Sequence, residues 1–465
     1  MPQSLRHHLL TTLQGLPPAR RYLIAFSGGL DSTVLLHLMA ALRDGLGREI
    51  SALHIDHGIS VHSADWSAQC RAFCARLGVP FEHRRVEVKR QGEHGLEAAA
   101  RHARYEAFGK ALGEGEMLLT AHHRDDQAET LLLQLLRGGG VHGLAAMPLW
   151  RHFCRGMLAR PLLGQPREVL RRYAEAEGLA WIEDPSNFDT GLERNWLRHT
   201  LLPQLAERRA GTREVLARSA GHFAESAALL DDLALQDLAH AEREEATLSV
   251  AALRRLTPER CRNLLRYAIR QRGLPLPDHR HLHRILDEVL TAAPDAMPLV
   301  AWPGAELRRY RDRLFLLPPL PPLPEPSLEL RWKGEEAIFL PAGLGILRVR
   351  QVEGEGCPLP RLRGGECTIR WRRGGERLQP AGRAGHHELK KLYQEAGLPP
   401  WERNRRPLIC LDGNVVQVPG LWSASNCAAS AEETGIVFDW QPFPVEKGRQ
   451  NNDNCPVLGD DGFEH

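Results

Sequence analysis

The first stretch with the residue types for phosphate chemistry is 27–32, which reads SGGLDS between two apolar runs. A strand, a glycine turn and a helix in this order direct backbone N–H groups and the positive end of a helix dipole at an anion. Glycines let the backbone approach an oxyanion closely, and the two serines add hydroxyl donors. The pattern therefore predicts a loop that binds ATP phosphates. Its predicted contacts are Ser27, Gly28, Gly29, Leu30, Asp31 and Ser32.

Asp31 distinguishes this loop from a Walker loop, GxxxxGKS/T, whose lysine contacts the β- and γ-phosphates. No such lysine follows the glycines here. A carboxylate beside bound phosphates would repel them unless a cation lies between, so Asp31 is predicted to bind Mg²⁺. The loop suits ATP that is attacked at its α-phosphorus, with pyrophosphate leaving and AMP passing to a substrate. An ordinary strand-to-helix turn would explain the glycines but not the whole SGGLDS pattern.

A second polar group lies at residues 121–130, which read AHHRDDQAET. Asp126 and Glu129 are three residues apart, so they share a helix face if a helix begins near Asp125. His122 falls at the end of the preceding predicted strand. A simpler interpretation is that Asp125 and Asp126 only cap the N-terminus of the helix.

Other polar residues follow strands or open helices. His54 and Asp56 end the second predicted strand, where ligands bind in an open α/β sheet, and are predicted to contact adenosine. Arg101 and Arg104, with Glu97, are spaced three and four apart on a helix, and by spacing alone they form a solvated ion-pair face. Residues 184–198 read DPSNFDTGLERNWLR, which by itself also fits a capped turn before a helix.

Alternation of apolar runs and helical patterns predicts the fold of residues 1–205. Predicted strands at 21–26, 49–56, within 77–88 and at 117–121 alternate with helices at 33–41, 97–112 and 126–137. Such βαβ units predict a doubly wound parallel sheet with helices on both faces.

The remainder of the chain differs in residue composition. Beyond 205 it is rich in alanine and leucine, and the run LPPLPPLPEP at 317–326 predicts a stiff linker. The predicted segments are an α/β catalytic domain at 1–205, a helical domain at 206–316, a Pro-rich linker and strand segment at 317–358, a small basic α+β domain at 359–443, and a polar, disordered tail at 444–465.

Composition is that of a globular protein outside the membrane. The chain has 465 residues, 43% hydrophobic and 25% charged, with a formal net charge of +2. No run of about 18 apolar residues predicts a membrane span, and no secretory signal is recognised at the N-terminus. The nine cysteines form no CxxC pair, which predicts reduced, mostly buried thiols in a cytoplasmic protein.

SGGLDS after an apolar strand resembles the signature of the PP-loop ATP pyrophosphatases, which have an adenine nucleotide α hydrolase-like fold. Further runs resemble the tRNA(Ile)-lysidine synthetase family over nearly the whole chain except its ends, most weakly between about 206 and 350. In order they are HIDHGI (54–59), LEAAARHARY (96–105), AHHRDDQAETLLLQLLRG (121–138), RPLL (160–163), WIEDPSNFDTGLERNWLR (181–198) and GRAGHHELKKLYQEAGLPPWERNRRPLI (382–409).

The resemblance implies a two-step reaction on isoleucine tRNA with a CAU anticodon. ATP adenylates the C2 oxygen of the wobble cytidine and releases pyrophosphate. Free lysine then displaces AMP at C2 to give lysidine, which changes codon reading from AUG to AUA. ATP, Mg²⁺, free L-lysine and the tRNA are the implied cofactors and partners.

The resemblance also implies roles for the polar groups. Asp126 and Glu129 are implied to share Mg²⁺ coordination and recognition of the lysine ammonium, with Asp31 and Asp126 as metal ligands. The implied catalytic residues are Asp31, Arg101, Arg104, Asp126 and Glu129. Beyond the loop, the implied nucleotide contacts are His54, Asp56 and His122. The implied substrate-site residues are Asp184, Asn187, Arg194 and Asn195.

The segment 361–406 is strongly basic, with twelve Arg or Lys against five Asp or Glu. A solvated basic face is the simpler interpretation, but such concentration of charge is also typical of a surface that binds a phosphodiester backbone. The resemblance implies that this domain, together with the helical one, contacts the tRNA, here away from the anticodon. The predicted contacts are Arg383, Lys390, Lys391 and Arg403.

Two alternatives differ in chemistry. A PP-loop enzyme that thiolates a tRNA base would need a reactive cysteine pair, and Cys70 with Cys74 is the candidate. A nucleic-acid-binding protein that no longer turns over ATP would not need its intact acidic residues. The sequence leaves the oligomeric state open, with a homodimer as one option.

Overall fold

The computed structural model describes residues 2–58, 62–88, 96–243, 247–293 and 295–442. The chain divides into two compact units between Ala234 and Leu235. The tail predicted at 444–465 and residue 59 of the HIDHGI run lie outside the described residues. Among the described helices, none combines the length and the hydropathy needed to cross a membrane.

The first unit is built from helices and strands that alternate along the chain. They are α1 (Pro2–Gln14), β1 (Arg21–Ala25), α2 (Leu30–Leu46), β2 (Glu49–Asp56), α3 (Ser63–Leu77), β3 (Phe81–Arg85), α4 (Leu96–Ala111), β4 (Met117–Leu119), α5 (Arg124–Leu136), α6 (Val141–Leu144), β5 (Trp150–Phe153), β6 (Gly156–Ala159), α7 (Arg167–Ala176), α8 (Glu193–Trp196) and α9 (Leu202–Arg208). A π-helical turn, Leu197–Leu201, joins α8 to α9. Helix α10 (Thr212–Ala241) begins in this unit.

Six strands form one sheet in the order β3-β2-β1-β4-β6-β5. All neighbours are parallel except β5, which pairs with β6 in the antiparallel sense. The strand order reverses between β1 and β4. Ligands of open α/β sheets bind at such a switch point, outside the carboxyl ends of the strands.

Helices cover both faces of this sheet because β1 is apolar on both sides. Ile24 packs in one buried cluster with α1, α2 and α7, whereas Leu23 packs in another with Tyr105 and Phe108 of α4. Alternate side chains of a strand point to opposite faces, and a strand that is apolar throughout is typical of a parallel sheet buried on both sides. The predicted doubly wound α/β fold is confirmed.

The start of α2 differs from the prediction in a way that affects the site. The helix begins at Leu30 and not at residue 33, because Gly29 is extended (φ −70°, ψ 165°) and the helix follows it directly. Asp31 and Ser32 therefore lie in the first helical turn. Strand β2 has its predicted bounds.

The second unit contains shorter elements. They are β7 (Glu242–Arg243), β8 (Thr247–Ser249), α11 (Val250–Leu253), α12 (Pro258–Gln271), α13 (His279–Arg284), β9 (Leu299–Trp302), β10 (Ala305–Tyr310), β11 (Arg313–Leu317), β12 (Glu329–Arg331), β13 (Ala337–Phe339), β14 (Ile346–Glu353), β15 (Cys357–Pro358), α14 (Leu359–Gly364), β16 (Cys367–Arg370), β17 (Arg377–Leu378), β18 (His387–Glu388), α15 (Leu389–Glu395), α16 (Pro400–Arg403), β19 (Leu408–Leu411), β20 (Asn414–Val418), β21 (Trp422–Ser423) and β22 (Thr434–Gln441).

Antiparallel sheets dominate this unit. Their strand orders are β7-β8-β11-β10-β9, β12-β16-β19-β20-β21 and β13-β14-β22-β15, with a separate β17-β18 pair. The first of these sheets adds strands to a region that the sequence predicts as helical. Its strands are so short that a two-residue alternation does not stand out between helices. Residues 318–328, within the predicted linker segment, contain no helix or strand.

The cysteines only partly follow the prediction of reduced thiols. Cys357 and Cys427 form a disulfide although 70 residues separate them. Cys70, Cys74, Cys261, Cys367 and Cys410 are free and buried. Sequence spacing carries no sign of the bonded pair, because the fold alone brings β15 close to the turn at 425–427.

Candidate active site

The SGGLDS loop joins β1 to α2 at the switch point. The hydroxyl oxygens of Ser27 and Ser32 lie 3.0 Å apart, and Ser32 donates to the carbonyl oxygen of Gly29 at 3.0 Å. Gly29 precedes the first helical residue, and its position supplies no side-chain cap. Uncapped amides at the start of a helix favour an anion such as phosphate.

Glycine is required at position 28 by both conformation and space. Its φ is +85°, and a Cβ there would lie 2.6 Å from Cδ1 of Ile182 and 2.7 Å from Sγ of Cys70. The amide of Ile182 also donates to the carbonyl oxygen of Gly28 at 2.9 Å. The chain around Ile182 therefore packs directly against the phosphate loop.

His123 lies between two carboxylates. Its Nε2 is 3.6 Å from Oδ2 of Asp31, and its Nδ1 is 3.3 Å from Oδ2 of Asp126. Burial disfavours a charge on this ring, but the charges of Asp126 and Asp31 outweigh burial and raise the pKa of His123. The ring thus connects the phosphate loop to the acidic residues of α5.

The N-terminus of α5 is fixed by a reciprocal cap. In the neutral form of His123 the amide of Asp126 donates to Nδ1 of His123 at 3.4 Å, and the amide of His123 donates to Oδ2 of Asp126 at 2.9 Å. Asp126 therefore caps the helix and also reaches the site with its other oxygen. Asp125 points elsewhere, since it accepts from the amide of Arg167 and lies 3.4 Å from Nε of Arg213.

Asp126 and Glu129 share two arginines. Arg194 places Nε 2.9 Å from Oε2 of Glu129 and Nη2 3.3 Å from Oδ1 of Asp126. Arg198 places Nε 2.7 Å from Oε1 of Glu129 and Nη2 3.2 Å from Oδ1 of Asp126. The four side chains form a network between α5 and the helix that starts with α8.

The network is ionised because each charge stabilises the others. Burial disfavours the charge of Asp126, yet His123 and Arg194 hold the pKa of Asp126 well below its ordinary value. Burial likewise opposes the charge of Arg194, but Glu129 and Asp126 raise the pKa of Arg194. The network thus pairs two carboxylates with two guanidinium groups, as buried charges require.

His54 and Asp56 end β2 beside the loop and are both buried. His54 donates from Nδ1 to the carbonyl oxygen of Phe26 at 2.9 Å, and burial lowers the pKa of His54. Oδ1 of Asp56 accepts the amide of Gly58 at 2.7 Å. The structure thus places both residues at the carboxyl edge of the sheet, with Nε2 of a neutral His54 left as an acceptor.

The two arginines of α4 make different contacts. Arg104 donates from Nε to Nε2 of His57 at 3.1 Å, beyond β2. Arg101 lies over the ring of Tyr105, with Cζ 4.8 Å from the centroid. Burial, with the charges of Arg160 and Arg101, lowers the pKa of His122 to about 3.

The turn at 184–189 is held by its own polar side chains. Oδ1 of Asp184 accepts the amide of Ser186 at 2.9 Å. The side chain of Asn195, which is buried, donates to the carbonyl oxygens of Ser186 and Asp189 at 2.9 Å each. Asp184 and Asn195 therefore shape the turn at 184–189, while Asn187 is exposed on it.

The predicted tRNA contacts of the second unit fall into two groups. Lys390 and Lys391 are exposed, and Arg383 is exposed with Nη1 2.7 Å from Oε2 of Glu395. Arg403 is buried, with Nε 2.8 Å from the carbonyl oxygen of Leu398 and Nη2 2.9 Å from the hydroxyl of Tyr310. The guanidinium of Arg403 is therefore used inside the fold, and its contact with tRNA stays a prediction.

Several residues of the site are absent from the sequence prediction. The sequence patterns single out His122 but not the adjacent His123. They include Arg198 only as the last residue of the 181–198 run. Arg167 places Nε 3.6 Å from Oδ1 of Asp31. Arg160 is fully buried and donates to the carbonyl oxygen of Pro148 at 3.0 Å. The RPLL run, which starts at Arg160, is the one available signal.

The cysteine pair suggested for thiolation is packed in the core. Cys70 is 1% exposed and Cys74 is 0% exposed. Burial raises the pKa of each thiol to about 12. The reactive form of cysteine is the thiolate, so neither side chain has the properties of a sulfur carrier.

Known protein families match the two units. A family profile described as PP-loop domain matches residues 3–205. Profiles described as TilS substrate binding domain and TilS substrate C-terminal domain match residues 248–315 and 367–440. The three matches follow the order of the segments along the chain.

Individual proteins are similar over most of the length. The tRNA(Ile)-lysidine synthase of Methylococcus capsulatus is 47% identical over 431 residues, which cover 92% of this chain and 98% of the relative. The tRNA(Ile)-lysidine synthase of Alkalilimnicola ehrlichii is 46% identical over 92% of this chain and 95% of the relative. Among solved structures, the U34-tRNA thiolase NcsA from Methanococcus maripaludis covers 48% of this chain and 79% of its own, at 16% identity and a TM-score of 0.41. Because the identity is high over nearly the full length of both chains, this chain belongs to the tRNA(Ile)-lysidine synthase family.

Proposed function

We propose that this chain adenylates the wobble cytidine of isoleucine tRNA bearing a CAU anticodon and then joins free lysine to C2, which gives lysidine. The observation that carries the proposal is the buried pair Asp126 and Glu129, which lies beside the SGGLDS loop and binds two guanidinium groups. Family membership supports the substrate class. The carboxylate pair supports a cation, lysine included, at the same edge of the sheet.

In the first step the C2 oxygen attacks the α-phosphorus of ATP, and the bond to the β-phosphate oxygen breaks. The amides at the start of α2, with Ser27 and Ser32, are the groups suited to holding the departing pyrophosphate. Adenylation is needed because a carbonyl oxygen is a poor leaving group, whereas AMP is a good one. His54 and Asp56 lie where the adenosine would bind, next to the same loop.

Mg²⁺ fits the residues that are present. Oδ1 of Asp31 is buried and makes no hydrogen bond in the described part of the chain, although Nε of Arg167 lies 3.6 Å from it. Asp31 and Asp126 would hold the ion, which when bound neutralises charge on the phosphates. Mg²⁺ commonly takes one or two carboxylates and adds phosphate oxygens and water.

In the second step the lysine ε-amine attacks C2, and the bond from C2 to the adenylate oxygen breaks. The ammonium of free lysine is a cation that Asp126 and Glu129 can bind in place of a guanidinium. The attacking amine must first lose a proton, for which Glu129 is the candidate acceptor, because the pKa of Asp126 is held well below its ordinary value. Arg101, on the His122 side of the site, is suited to stabilise the phosphoryl transition state of the first step.

We expect the second unit to bind the tRNA away from the anticodon. Lys390, Lys391 and Arg383 are the predicted contacts in the basic segment that are exposed. Contacts of this kind act on the phosphate backbone and position the RNA. ATP, lysine and tRNA are together available in the cytoplasm, which supports that compartment as the place of action.

The test combines purified protein, ATP, radiolabelled lysine and isoleucine tRNA transcript with a CAU anticodon. We expect label in the tRNA, with one AMP and one pyrophosphate released per lysine incorporated. Omission of lysine should stop incorporation but not a first round of pyrophosphate release. Formation of ADP and orthophosphate would contradict the proposal.

Two aspartates provide a matched pair of variants. Asp126→Asn should reduce lysine incorporation by at least about 100-fold, since it removes a charge that faces Arg194, Arg198 and the cation site. Asp125→Asn changes the next residue of the same helical turn, which instead faces Arg167 and Arg213. It should retain activity within a few-fold, and equal losses in the two variants would refute the role of Asp126.

Thiolation of a tRNA base is the nearest alternative in the same superfamily. It is not favoured, because Cys70 and Cys74 are buried thiols with high pKa values. A visible iron–sulfur absorbance in the purified protein would reopen it.

A further inference from the structure

Phe188 is an exposed aromatic residue at the substrate side of the first unit. It ends the short helical turn Pro185–Phe188, and 64% of it is accessible to solvent. Water is an unfavourable surrounding for a phenyl ring. An exposed ring beside a candidate site is therefore a candidate contact for a ligand.

The ring is held in place from one side. The centroid of His199 lies 5.5 Å from that of Phe188, with 32° between the ring planes. His199 is itself fixed, because its Nε2 donates to the carbonyl oxygen of Asn187 at 2.9 Å. The phenyl ring is thus backed by an imidazole while most of its surface stays open.

The turn that carries Phe188 is tied to the acidic site. Asn195 donates to the carbonyl oxygens on both sides of Phe188, those of Ser186 and Asp189. The neighbouring residue, Arg194, contacts Asp126 and Glu129. Phe188 is therefore held at a fixed position relative to Asp126 and Glu129. Its turn is hydrogen-bonded to Asn195, and the adjacent Arg194 contacts both carboxylates.

We propose that Phe188, backed by His199, is a stacking platform for an anticodon-loop base that flanks the wobble cytidine. The inference rests on the proposed function and deepens it. To reach the reacting groups, the wobble base must leave the stack of its neighbours. A flanking base then loses a stacking partner, and a fixed aromatic ring replaces it.

A nucleobase is the occupant that the surroundings favour. The platform is continuous with the turn and helix that line the site where the cytidine must react. A second aromatic residue on that helix, Trp196, is also exposed, at 39%. A planar, apolar side chain of this kind stacks on the face of any base. Its binding therefore does not depend on the hydrogen-bonding groups of that base.

The test uses Phe188→Ala, Phe188→Leu and Phe188→Tyr in the full chain. Loss of a base–aromatic stack should raise the KM for the tRNA by about 5- to 150-fold in Phe188→Ala. Phe188→Leu should show a similar loss, because leucine is apolar but cannot stack. Phe188→Tyr should stay within about twofold of the wild type, and the KM for ATP should change in none of them.

A tRNA with 2-aminopurine beside the wobble position reports stacking directly. Wild-type protein and Phe188→Tyr should change its fluorescence on binding, and Phe188→Ala should not. Phe339→Ala is a matched control, since Phe339 is a similarly exposed phenylalanine, at 71%, on β13 of the second unit. It should leave both readouts unchanged.

Three results would overturn the inference: an unchanged tRNA KM in Phe188→Ala, an equal loss in Phe339→Ala, or conversion of a wild-type dimer to a monomer by Phe188→Ala. The last would show that a second copy of the chain covers the ring. Failure of the wild type to incorporate lysine would instead refute the proposed function. The fluorescence experiment would still decide whether the ring stacks on RNA.

Discussion

Arg198 and Glu129 form a bidentate ion pair, with Nε 2.7 Å from Oε1 and Nη2 2.9 Å from Oε2. Glu129 is only 1% exposed, and Arg194 also donates a hydrogen bond to it. A carboxylate taken out of water needs such hydrogen-bonded partners to stay ionised. The pair also fastens α5 to the π-helical turn that contains Arg198.

Breaking this pair should destabilise the first unit. Glu129→Gln and Arg198→Met should each lower the free energy of unfolding by about 3 kcal/mol, because each leaves a buried charge short of a partner. The double variant should lose less than the sum, with a coupling energy of about 1–3 kcal/mol. Urea unfolding followed by circular dichroism measures all three, and strictly additive losses would show that the contact is not energetically coupled.

The phosphate loop should tolerate no side chain at position 28. Gly28→Ala places a methyl group against Ile182 and Cys70 and forces a positive φ on alanine, so it should abolish ATP binding and destabilise the protein by at least about 1–3 kcal/mol. Isothermal titration with ATP and thermal unfolding check both effects. Gly45→Ala is the control: no atom lies within 4 Å of a Cβ there, and the residue is inside α2. It should leave ATP binding intact and stabilise the helix by about 0.5–1 kcal/mol.

Local patterns were enough to predict the parallel sheet, the loop and the shared face of Asp126 and Glu129. The partners of that pair were not predictable, because Arg194 and Arg198 meet α5 only through the tertiary fold. The burial of Arg403 was not predictable for the same reason. A basic run indicates a charged surface, but the guanidinium of Arg403 donates to the hydroxyl of Tyr310 inside the fold. The disulfide between Cys357 and Cys427 likewise depends on a distant contact.

His57 should make the first unit less stable in mild acid. Burial and the charge of Arg104 lower the pKa of His57 from its ordinary 6.5 to about 4. Between these values the unfolded chain binds a proton that the folded chain does not, so stability falls as pH drops from 6.5 to 4 and this contribution is complete above 6.5. His57→Gln should reduce the slope of stability against pH in that window. Urea midpoints at intervals of half a pH unit measure it, and an unchanged slope would mean that His57 titrates normally in the fold.

The two kinds of basic residue in the second unit should respond differently to mutation. Lys390→Gln with Lys391→Gln removes two exposed cations, so it should weaken tRNA binding and reduce the slope of log Kd against log salt by about 0.7–0.9 for each lost phosphate contact. Folding should be unaffected, because surface charges contribute little to stability. Arg403→Gln should instead lower the free energy of unfolding of the second unit by about 1–3 kcal/mol, since it leaves the carbonyl oxygen of Leu398 and the hydroxyl of Tyr310 without their donor. Filter binding across a salt series and urea unfolding, performed on both variants, separate the two roles. If Arg403→Gln reduced the slope of log Kd against log salt without lowering the free energy of unfolding, Arg403 would be assigned to the RNA-binding surface.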